Sequence, residues 1–203
     1  MGKILLAITT YNQSNYTRMC FESLKKLDDD IDVIVIDDFS TDDTVDVCKE
    51  YGYECETRDK PMGLTHSWNS AYSYFKYDND EYDYLIIANN DILIPKGALG
   101  ELVESFEQWP YTMIVPMSTT NGVGHNPTQS IENYYQGMAP SCNDPKYYQE
   151  IQDKILDVKE QTRKSNNLYI LDTARMKMFN GFFFMMNKNI IQYEQNKTDL
   201  FKT

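Results

Sequence analysis

The chain has 203 residues, 41% of them hydrophobic and 25% charged, which is the composition of one ordinary globular domain, with or without an appendage. Its formal net charge of -12 argues against DNA or another long polyanion as a partner. No apolar run approaches the roughly 18 residues of a membrane span, and the cysteines form no C-x-x-C pair. We therefore expect a soluble or peripheral cytoplasmic protein with reduced thiols.

Apolar runs and helical patterns alternate along the first half of the chain. Short apolar runs predict buried strands at residues 3–9, 31–37, 53–57, 82–89 and 112–117. Apolar residues at helical spacing predict helices at residues 14–27, 41–52, 65–77 and 95–109. We expect Ser14 or Asn15 to cap the first helix, Thr41 to cap the second, and Pro95 to open the fourth. This alternation predicts an α/β fold with a mostly parallel sheet of about six strands.

The second half of the chain is less regular. Residues 118–147 are rich in Gly, Asn, Pro, Thr and Ser, a composition typical of a lid or binding loop when it extends this far. Residues 147–164 have the pattern of a polar amphipathic helix. Residues 176–191 contain a strongly apolar run, which predicts a strand that we expect to be central in the sheet.

The loops that follow the strands carry the candidate site, because ligands of such sheets bind beyond the carboxyl ends of the strands. The first loop, TTYN, offers the Thr9 hydroxyl, the planar Tyr11 ring and the Asn12 amide. A flat ring beside polar groups suits a nucleobase, although a helix cap with a partly buried tyrosine fits the same residues. Neither G-x-G-x-x-G nor a P-loop pattern is present, which argues against a dinucleotide-binding dehydrogenase.

Two adjacent aspartates, Asp37 and Asp38, end the second strand and begin the loop DDFSTDD. Burying either carboxylate without a partner is costly, so both either face solvent or face a group that needs acceptors. Asp38 could accept from the N–H of a pyrimidine base, while Asp37 could hold backbone amides at the strand end. Turn chemistry and helix capping explain Ser40 and Thr41 well, but explain the two aspartates less well.

The fourth loop, IIANNDILIP, places two amides and one carboxylate at the end of a buried strand. Asp91 suits a hard divalent cation that takes its remaining oxygens from water and from a substrate diphosphate. Asn89 and Asn90 could hold ribose hydroxyls. The alternative is an ordinary strand-to-helix turn, in which N-N-D is common.

The four segments TTYN, DDFSTDDT, MGLTHSWN and LIIANNDILIP, in this order, resemble the GT-A-fold nucleotide-sugar glycosyltransferases, and most of all family 2. The resemblance covers residues 3 to 116, and NGFFFMMNK more weakly. It implies a three-layer α/β sandwich with a donor-binding half at residues 1–117 and an acceptor side at residues 118–203 of the same domain. It also implies a UDP-sugar donor, a glycan or protein-linked glycan acceptor, and Mn²⁺ or Mg²⁺ as cofactor.

The resemblance assigns the base and phosphate contacts to three of these loops. Thr9 and Tyr11 would border the uracil, with the tyrosine ring stacked on it, and Asp38 would bind the base. Gly63 and the start of the following helix would approach the diphosphate, since a helix N-terminus favours anions. Lys60 or Arg58 could supply positive charge near the phosphates, or could be a solvated surface residue.

The resemblance assigns the ribose and metal contacts to the fourth loop. Asn90 would lie at the ribose, and Asp91 would bind the cation that bridges the diphosphate. The acidic motif of the family is usually D-x-D-like, whereas this chain has N-N-D with one carboxylate.

The resemblance leaves the catalytic base open. In family 2 the base usually follows the glycine of the NGFFFM-like strand at a characteristic distance. In this chain that glycine is Gly181, and the same distance leads to about Thr203. We expect either that the chain is a domain of a longer protein or that its base differs from that of the family. Asp172 and Asp199 are the local candidates for the base. His66 could donate to the leaving diphosphate, although a histidine with a structural hydrogen bond on a helix face is commoner.

Three functions fit these patterns. The first is a glycosyltransferase domain that uses UDP-glucose or a related hexose or deoxyhexose donor. The second is a sugar-phosphate nucleotidyltransferase, which usually has an early glycine-rich loop that this chain lacks. The third is a non-catalytic module that binds a nucleotide-sugar or a glycan.

Overall fold

A computed structural model describes residues 2–78, 81–110, 113–116 and 183–193. The chain divides into two units, Met1–Ile114 with Phe182–Thr203 and Val115–Gly181, and nearly all described residues belong to the first. The loop and helix predicted at residues 118–164 lie outside the described residues. Among the helices that are described, none is long and apolar enough to cross a membrane.

The described elements follow the predicted alternation of strands and helices. The strands are β1 (Ile4–Thr10), β2 (Ile31–Asp37), β3 (Glu54–Thr57), β4 (Tyr84–Asn89) and β5 (Phe183–Asn187). The helices are α1 (Ser14–Leu24), α2 (Thr44–Tyr51), α3 (Leu64–Ser73), α4 (Ala98–Gln108) and α5 (Lys188–Tyr193). A π-helical turn at Tyr74–Asp78 continues α3.

The sheet is mostly parallel, which confirms the predicted fold class. Its order is β3-β2-β1-β4-β5, with β5 antiparallel to β4 and the other pairs parallel. Ile4 of β1 lies opposite Ile31 on one side and Tyr84 on the other. Every residue of β1 is buried, as expected of a central parallel strand covered on both faces.

Helices cover both faces of the sheet. Alternate residues of β1 share one buried cluster with three helices, represented by Phe21 of α1, Val47 of α2 and Phe106 of α4. On the other face, Trp68 of α3 meets Phe184 of β5 edge-on, with ring centroids 5.2 Å apart. Because successive strand residues point to opposite faces, this pair lies across the sheet from the first cluster. The fold is therefore a three-layer α/β/α sandwich.

The last strands differ from the prediction. Within residues 113–116, the strand predicted at 112–117 is reduced to one antiparallel bridge between Ile114 and Met185. The apolar run after Gly181 forms β5, which among the described strands is the last in the sheet and not a central one, with β4 on one side and the single bridge to Ile114 on the other. Periodicity marks an apolar strand but carries no information about its direction or its neighbour, so neither could be predicted.

Two predicted helix caps were wrong. Gln13, in the left-handed region with φ 65°, occupies the cap position of α1, so Ser14 is already helical. The second helix begins at Thr44 instead of after Thr41, because the Asp42 carboxylate accepts from the Thr44 backbone N–H at 3.0 Å. Asp42 also accepts from the N–H of Ser14 at 2.9 Å, which joins the starts of α1 and α2.

The fourth helix begins later than predicted. Gly97, with φ 82°, precedes α4, and the helix begins at Ala98 instead of at Pro95. At the other end of α2 the prediction was right, since Gly52 ends that helix with φ 75°.

Candidate functional site

A crevice of about 480 Å³ lies at the carboxyl ends of β1, β2 and β4. It is formed by the loops after these strands and by the beginning of α3. Its lining residues are Thr9, Thr10, Tyr11, Gln13, Asp38, Pro61, Gly63, Leu64, Ser67, Asn89, Asn90 and Asp91. The crevice therefore brings together most of the residues that the sequence singled out, from four separate segments of the chain.

The loop after β1 presents an aromatic ring to the crevice. Tyr11 is 56% exposed, which is unusual for a large ring beside a buried strand. The next two residues, Asn12 and Gln13, have φ values of 58° and 65°, and Asn12 does not line the crevice. Instead, Asn12 donates its N–H to Ser40 Oγ at 2.6 Å and accepts from Thr41 N–H at 2.8 Å, so it joins this loop to the loop after β2.

Asp37 is fully buried behind the crevice and does not line it. Its carboxylate accepts from Thr10 Oγ1 at 2.9 Å, from the Ser40 N–H at 2.9 Å and from the Ser40 hydroxyl. A buried carboxylate is stable only with such partners. Asp37 thus fixes the end of β2 against the end of β1.

Asp38 is 6% exposed and connects β2 to the segment before α3. One carboxylate oxygen accepts from Met62 N–H at 2.8 Å, and the other accepts from Gly63 N–H at 2.7 Å. The Arg58 guanidinium lies 3.6 Å from the same carboxylate and donates to Ser70 Oγ at 2.8 Å. A carboxylate can accept about four hydrogen bonds, so Asp38 retains acceptor capacity towards the crevice.

The N-terminus of α3 opens on the crevice through Gly63 and Leu64. Gly63 has φ 91° and ψ 160°, a backbone conformation that glycine adopts almost alone, and no side chain caps the helix. The first N–H groups of a helix lack partners within the helix, and together with the helix dipole they favour an anion. This end of α3 is therefore suited to a phosphate group.

The asparagines after β4 are partly engaged by the protein itself. Asn90 is 8% exposed, and its amide donates to Thr17 Oγ1 at 2.8 Å and to the Asn12 carbonyl at 3.1 Å. The Asn89 side-chain oxygen lies 3.4 Å from the Thr9 hydroxyl, which can donate to it. These contacts hold the ends of β1 and β4 together, and among the described residues the Asn90 side-chain oxygen accepts no hydrogen bond, so it could serve a ligand.

Asp91 is exposed, lines the crevice, and within the described part of the chain accepts no hydrogen bond and forms no ion pair. Its charge adds to burial in raising the pKa of the Cys20 thiol to about 12. The described residues contain no cluster of three metal-binding side chains. One free carboxylate fits a divalent cation of the Mg²⁺ type, which keeps waters and takes further oxygens from a substrate diphosphate.

Two predicted residues lie elsewhere. Lys60 is exposed and His66 is half-buried, and neither lines the crevice. The candidate bases Asp172 and Asp199 lie outside the described residues.

The sequence interpretation did not single out several lining residues. Thr10, Gln13 and Pro61 adjoin predicted residues, so a slightly wider reading of each motif would have included them. Leu64 and Ser67 follow Gly63 by one and four residues. Leu64 simply adjoins the predicted glycine, whereas helical spacing would have placed Ser67 on the side of Gly63.

Comparisons with known proteins follow this geometry. The model of glycosyl transferase family 2 matches residues 6–191. The SPbeta prophage-derived glycosyltransferase SunS of Bacillus subtilis (strain 168) is 35% identical over 128 residues, which is 60% of this chain and 28% of SunS. The glycosyltransferase SunS of Bacillus phage SPbeta matches to the same extent. The match therefore spans less than a third of these curated relatives.

Solved structures show the same fold. Residues 1–349 of TarS from S. aureus superpose with a TM-score of 0.50 and 22% identity, over 59% of this chain and 37% of that chain. TarS 1–349 has also been solved with UDP-GlcNAc and with UDP. The mannosyltransferase PcManGT from Pyrobaculum calidifontis, in complex with GDP-Man and Mn²⁺, has a TM-score of 0.58 and 14% identity, over 97% of this chain and 48% of that chain.

Proposed function

The chain belongs to glycosyl transferase family 2, and from this membership we propose that its crevice binds a UDP-sugar whose sugar is transferred to a hydroxyl of a glycan or protein-linked glycan. One observation carries the proposal: an exposed ring at Tyr11, an uncapped helix N-terminus at Gly63 and a free carboxylate at Asp91 line the same crevice. A base, a diphosphate and a divalent cation need these three kinds of group.

The nucleoside is assigned to the β1 and β2 side of the crevice. The Tyr11 ring is exposed and free to stack on uracil, and Thr9 lies beside it at the end of β1. Asp38 keeps acceptor capacity for the N–H of the base, in addition to anchoring the segment before α3. Asn89 and Asn90 would hold the ribose hydroxyls.

The diphosphate is assigned to the space between α3 and Asp91. The N–H groups at the start of α3 would bind phosphate oxygens, and Asp91 would hold Mn²⁺ or Mg²⁺. A bound cation would offset the charge that the diphosphate gains as it leaves. The nucleotides bound in two structural neighbours support a nucleotide-sugar ligand. TarS has been solved with UDP-GlcNAc and with UDP, and PcManGT with GDP-Man and Mn²⁺.

In the transfer step, the bond between the sugar and the diphosphate breaks and a bond forms between the sugar and the acceptor oxygen. The electron pair of the broken bond leaves with UDP, and the acceptor proton passes to a carboxylate. Asp172 and Asp199 remain our candidates for that carboxylate. His66 is not included, because it does not line the crevice.

The proposal is tested by calorimetric titration of UDP, GDP and CMP, each with and without Mn²⁺. We expect UDP to bind in the presence of Mn²⁺, and Asp91→Ala to abolish this binding. Asp30→Ala is the matched control, because Asp30 is an exposed aspartate just before β2, at the opposite end of the strands. Binding that is indifferent to base and metal, or equal in both variants, would contradict the donor site.

Activity is tested separately with UDP-sugars. Slow release of UDP from a UDP-sugar in the absence of acceptor would support a transferase. Donor binding without any turnover would favour the non-catalytic module, and formation of a UDP-sugar from UTP and a sugar phosphate would favour the nucleotidyltransferase.

A further inference from the structure

Ser67, in the first turns of α3, has a buried hydroxyl that nothing in the described chain explains. The residue is 1% exposed, and its Oγ atom has no hydrogen-bond partner among the residues that the structure describes. Ser67 nevertheless lines the crevice. Buried polar atoms in proteins almost always have a partner, so an unpartnered one at the wall of a crevice points to a ligand.

Three helical hydroxyls elsewhere in the described chain have a local backbone partner. Thr17, Ser23 and Ser105 each donate to a backbone carbonyl three or four residues earlier, at 3.4, 2.7 and 3.0 Å. This local bond is the usual way in which a helix satisfies such a side chain. For Ser67 the corresponding carbonyl is that of Gly63, which accepts the backbone N–H groups of His66 and Ser67 at 3.1 and 3.3 Å but no hydrogen bond from the Ser67 hydroxyl.

The surroundings of Ser67 indicate which kind of ligand it would bind. It lies one turn inside α3, whose uncapped N-terminus opens on the same crevice. The free N–H groups at that end and the Ser67 hydroxyl are all hydrogen-bond donors, and the helix dipole favours negative charge there. The oxygens of a phosphate group are acceptors suited to these donors, and hydrogen bonds to a charged acceptor are the stronger kind.

We propose that the Ser67 hydroxyl donates a hydrogen bond to a phosphate oxygen of the bound nucleoside diphosphate, and that it forms a single anion subsite with the N-terminus of α3. This inference rests on the proposed donor site and adds to it a residue that determines affinity for the phosphates. Ser67 acts through the ligand and has no part in holding the helix.

The test compares UDP and uridine as ligands of wild type and of Ser67→Ala, in the presence of Mn²⁺. We expect Ser67→Ala to weaken UDP binding by about tenfold or more, the usual effect of removing a hydrogen bond to a charged group. Uridine binding should not change, because uridine has no phosphate. The thermal midpoint Tm should stay the same or rise, because the variant removes a buried polar atom that has no protein partner.

Ser23→Ala is the matched control. Ser23 is also a buried helical serine, but its Oγ atom donates to the Cys20 carbonyl at 2.7 Å and accepts from the Ile94 N–H at 3.2 Å. Its removal should lower Tm and leave UDP affinity unchanged. The two serines therefore separate a structural hydroxyl from a ligand-binding one.

Three outcomes would overturn the proposal. Unchanged UDP affinity in Ser67→Ala, with or without a lower Tm, means that the hydroxyl does not contact the phosphates. Equal weakening of uridine and UDP means that it contacts the nucleoside. If wild type itself binds no UDP, the donor site fails and this subsite fails with it, whereas a failure of the subsite alone appears only in the variant.

Discussion

The Asp38 carboxylate at the end of β2 accepts a hydrogen bond of 2.7 Å from the backbone N–H of Gly63, the residue before α3. The helix end that opens on the crevice is thus held by a different element of the fold, not by a cap of its own. Strand β2 sets where the N–H groups of α3 lie, and the binding properties of α3 depend on Asp38.

Asp38→Asn should destabilise the protein. An amide has one acceptor oxygen, so its NH₂ group would face one of the two backbone N–H groups that Asp38 now satisfies, and Arg58 would lose its counter-charge. We expect the free energy of unfolding in urea to fall by about 1–3 kcal/mol. Asp43→Asn changes an exposed carboxylate in the same loop and should have little effect. Equal losses in the two variants would show that Asp38 does not anchor the segment.

Gly63→Ala should destabilise the protein although there is space for the added methyl group. No atom lies within 4 Å of a Cβ built at Gly63, so the cost comes from the backbone, which has φ 91° and ψ 160°. We expect a loss of about 1–3 kcal/mol in the free energy of unfolding, together with weaker UDP binding.

Gly100→Ala is the control for that substitution. Gly100 lies within α4 and also has no atom within 4 Å of the added Cβ. Alanine in a helix is favoured over glycine, so this variant should gain about 0.5–1 kcal/mol. A loss in Gly100→Ala, or no loss in Gly63→Ala, would contradict the backbone argument.

The cysteines should differ in reactivity. A hydrogen bond with the Cys48 thiol lowers the pKa of the half-buried Cys55 thiol and raises the pKa of the buried Cys48 thiol. Burial raises the pKa of Cys20 to about 12. Because the thiolate is the reactive form, iodoacetamide should label Cys55 before Cys20 and Cys48, the other two cysteines that the structure describes. Peptide mass spectrometry measures the three rates, and denatured protein, in which they should converge, is the control. Faster labelling of Cys20 would refute the burial of that thiol.

Asp32 should stabilise the protein at neutral pH and not in acid. The Tyr82 hydroxyl at 2.6 Å, and then the Lys3 ammonium at 2.9 Å, lower the pKa of the Asp32 carboxyl. A lowered pKa gives stability that is present above the unfolded-state value of about 3.9 and is lost as the pH falls through the folded value. Asp32→Asn should therefore lower the free energy of unfolding by about 0.5–1 kcal/mol at neutral pH. The effect is this small because the Asp32 side chain is 47% exposed and solvent screens its charge.

The measurement for Asp32 is urea unfolding of wild type and variant over a range of pH. The difference between them should shrink as the pH falls below about 4. Asp30→Asn, an exposed carboxylate that forms no ion pair within the described part of the chain, should differ little from wild type at any pH. A difference for Asp32→Asn that is constant with pH would point to packing instead of charge.

The local pattern of apolar residues was sufficient to predict the strands that bury continuous apolar runs. The predicted bounds of β2, residues 31–37, are those of the structure, and the predicted loops after β1, β2 and β4 do meet in one crevice. This follows from the general rule that parallel strands end at a common edge, which requires no knowledge of particular contacts.

What the sequence could not predict depends on contacts between distant segments. The start of α1 is held by Asp42, whose carboxylate reaches the Ser14 N–H from a loop 28 residues later in the chain, while the same carboxylate also accepts from the nearby Thr44 N–H at the start of α2. Asp38 looked like a base-binding carboxylate, and the sequence did not indicate that it also holds Met62 and Gly63. The residue type alone does not distinguish a carboxylate that anchors the backbone from one that binds a ligand.

The position of β5 has a consequence for synthesis of the protein on the ribosome. β4 emerges with β1 and β2, but the strand that pairs with it, Phe183–Asn187, follows only after all of Val115–Gly181 has been translated. Until then the nascent sheet carries a long open edge, the feature through which strands associate with other chains. Pairings of such long range also form slowly. We therefore expect the unpaired edge of β4 to need protection by a chaperone mainly while Val115–Gly181 is being translated.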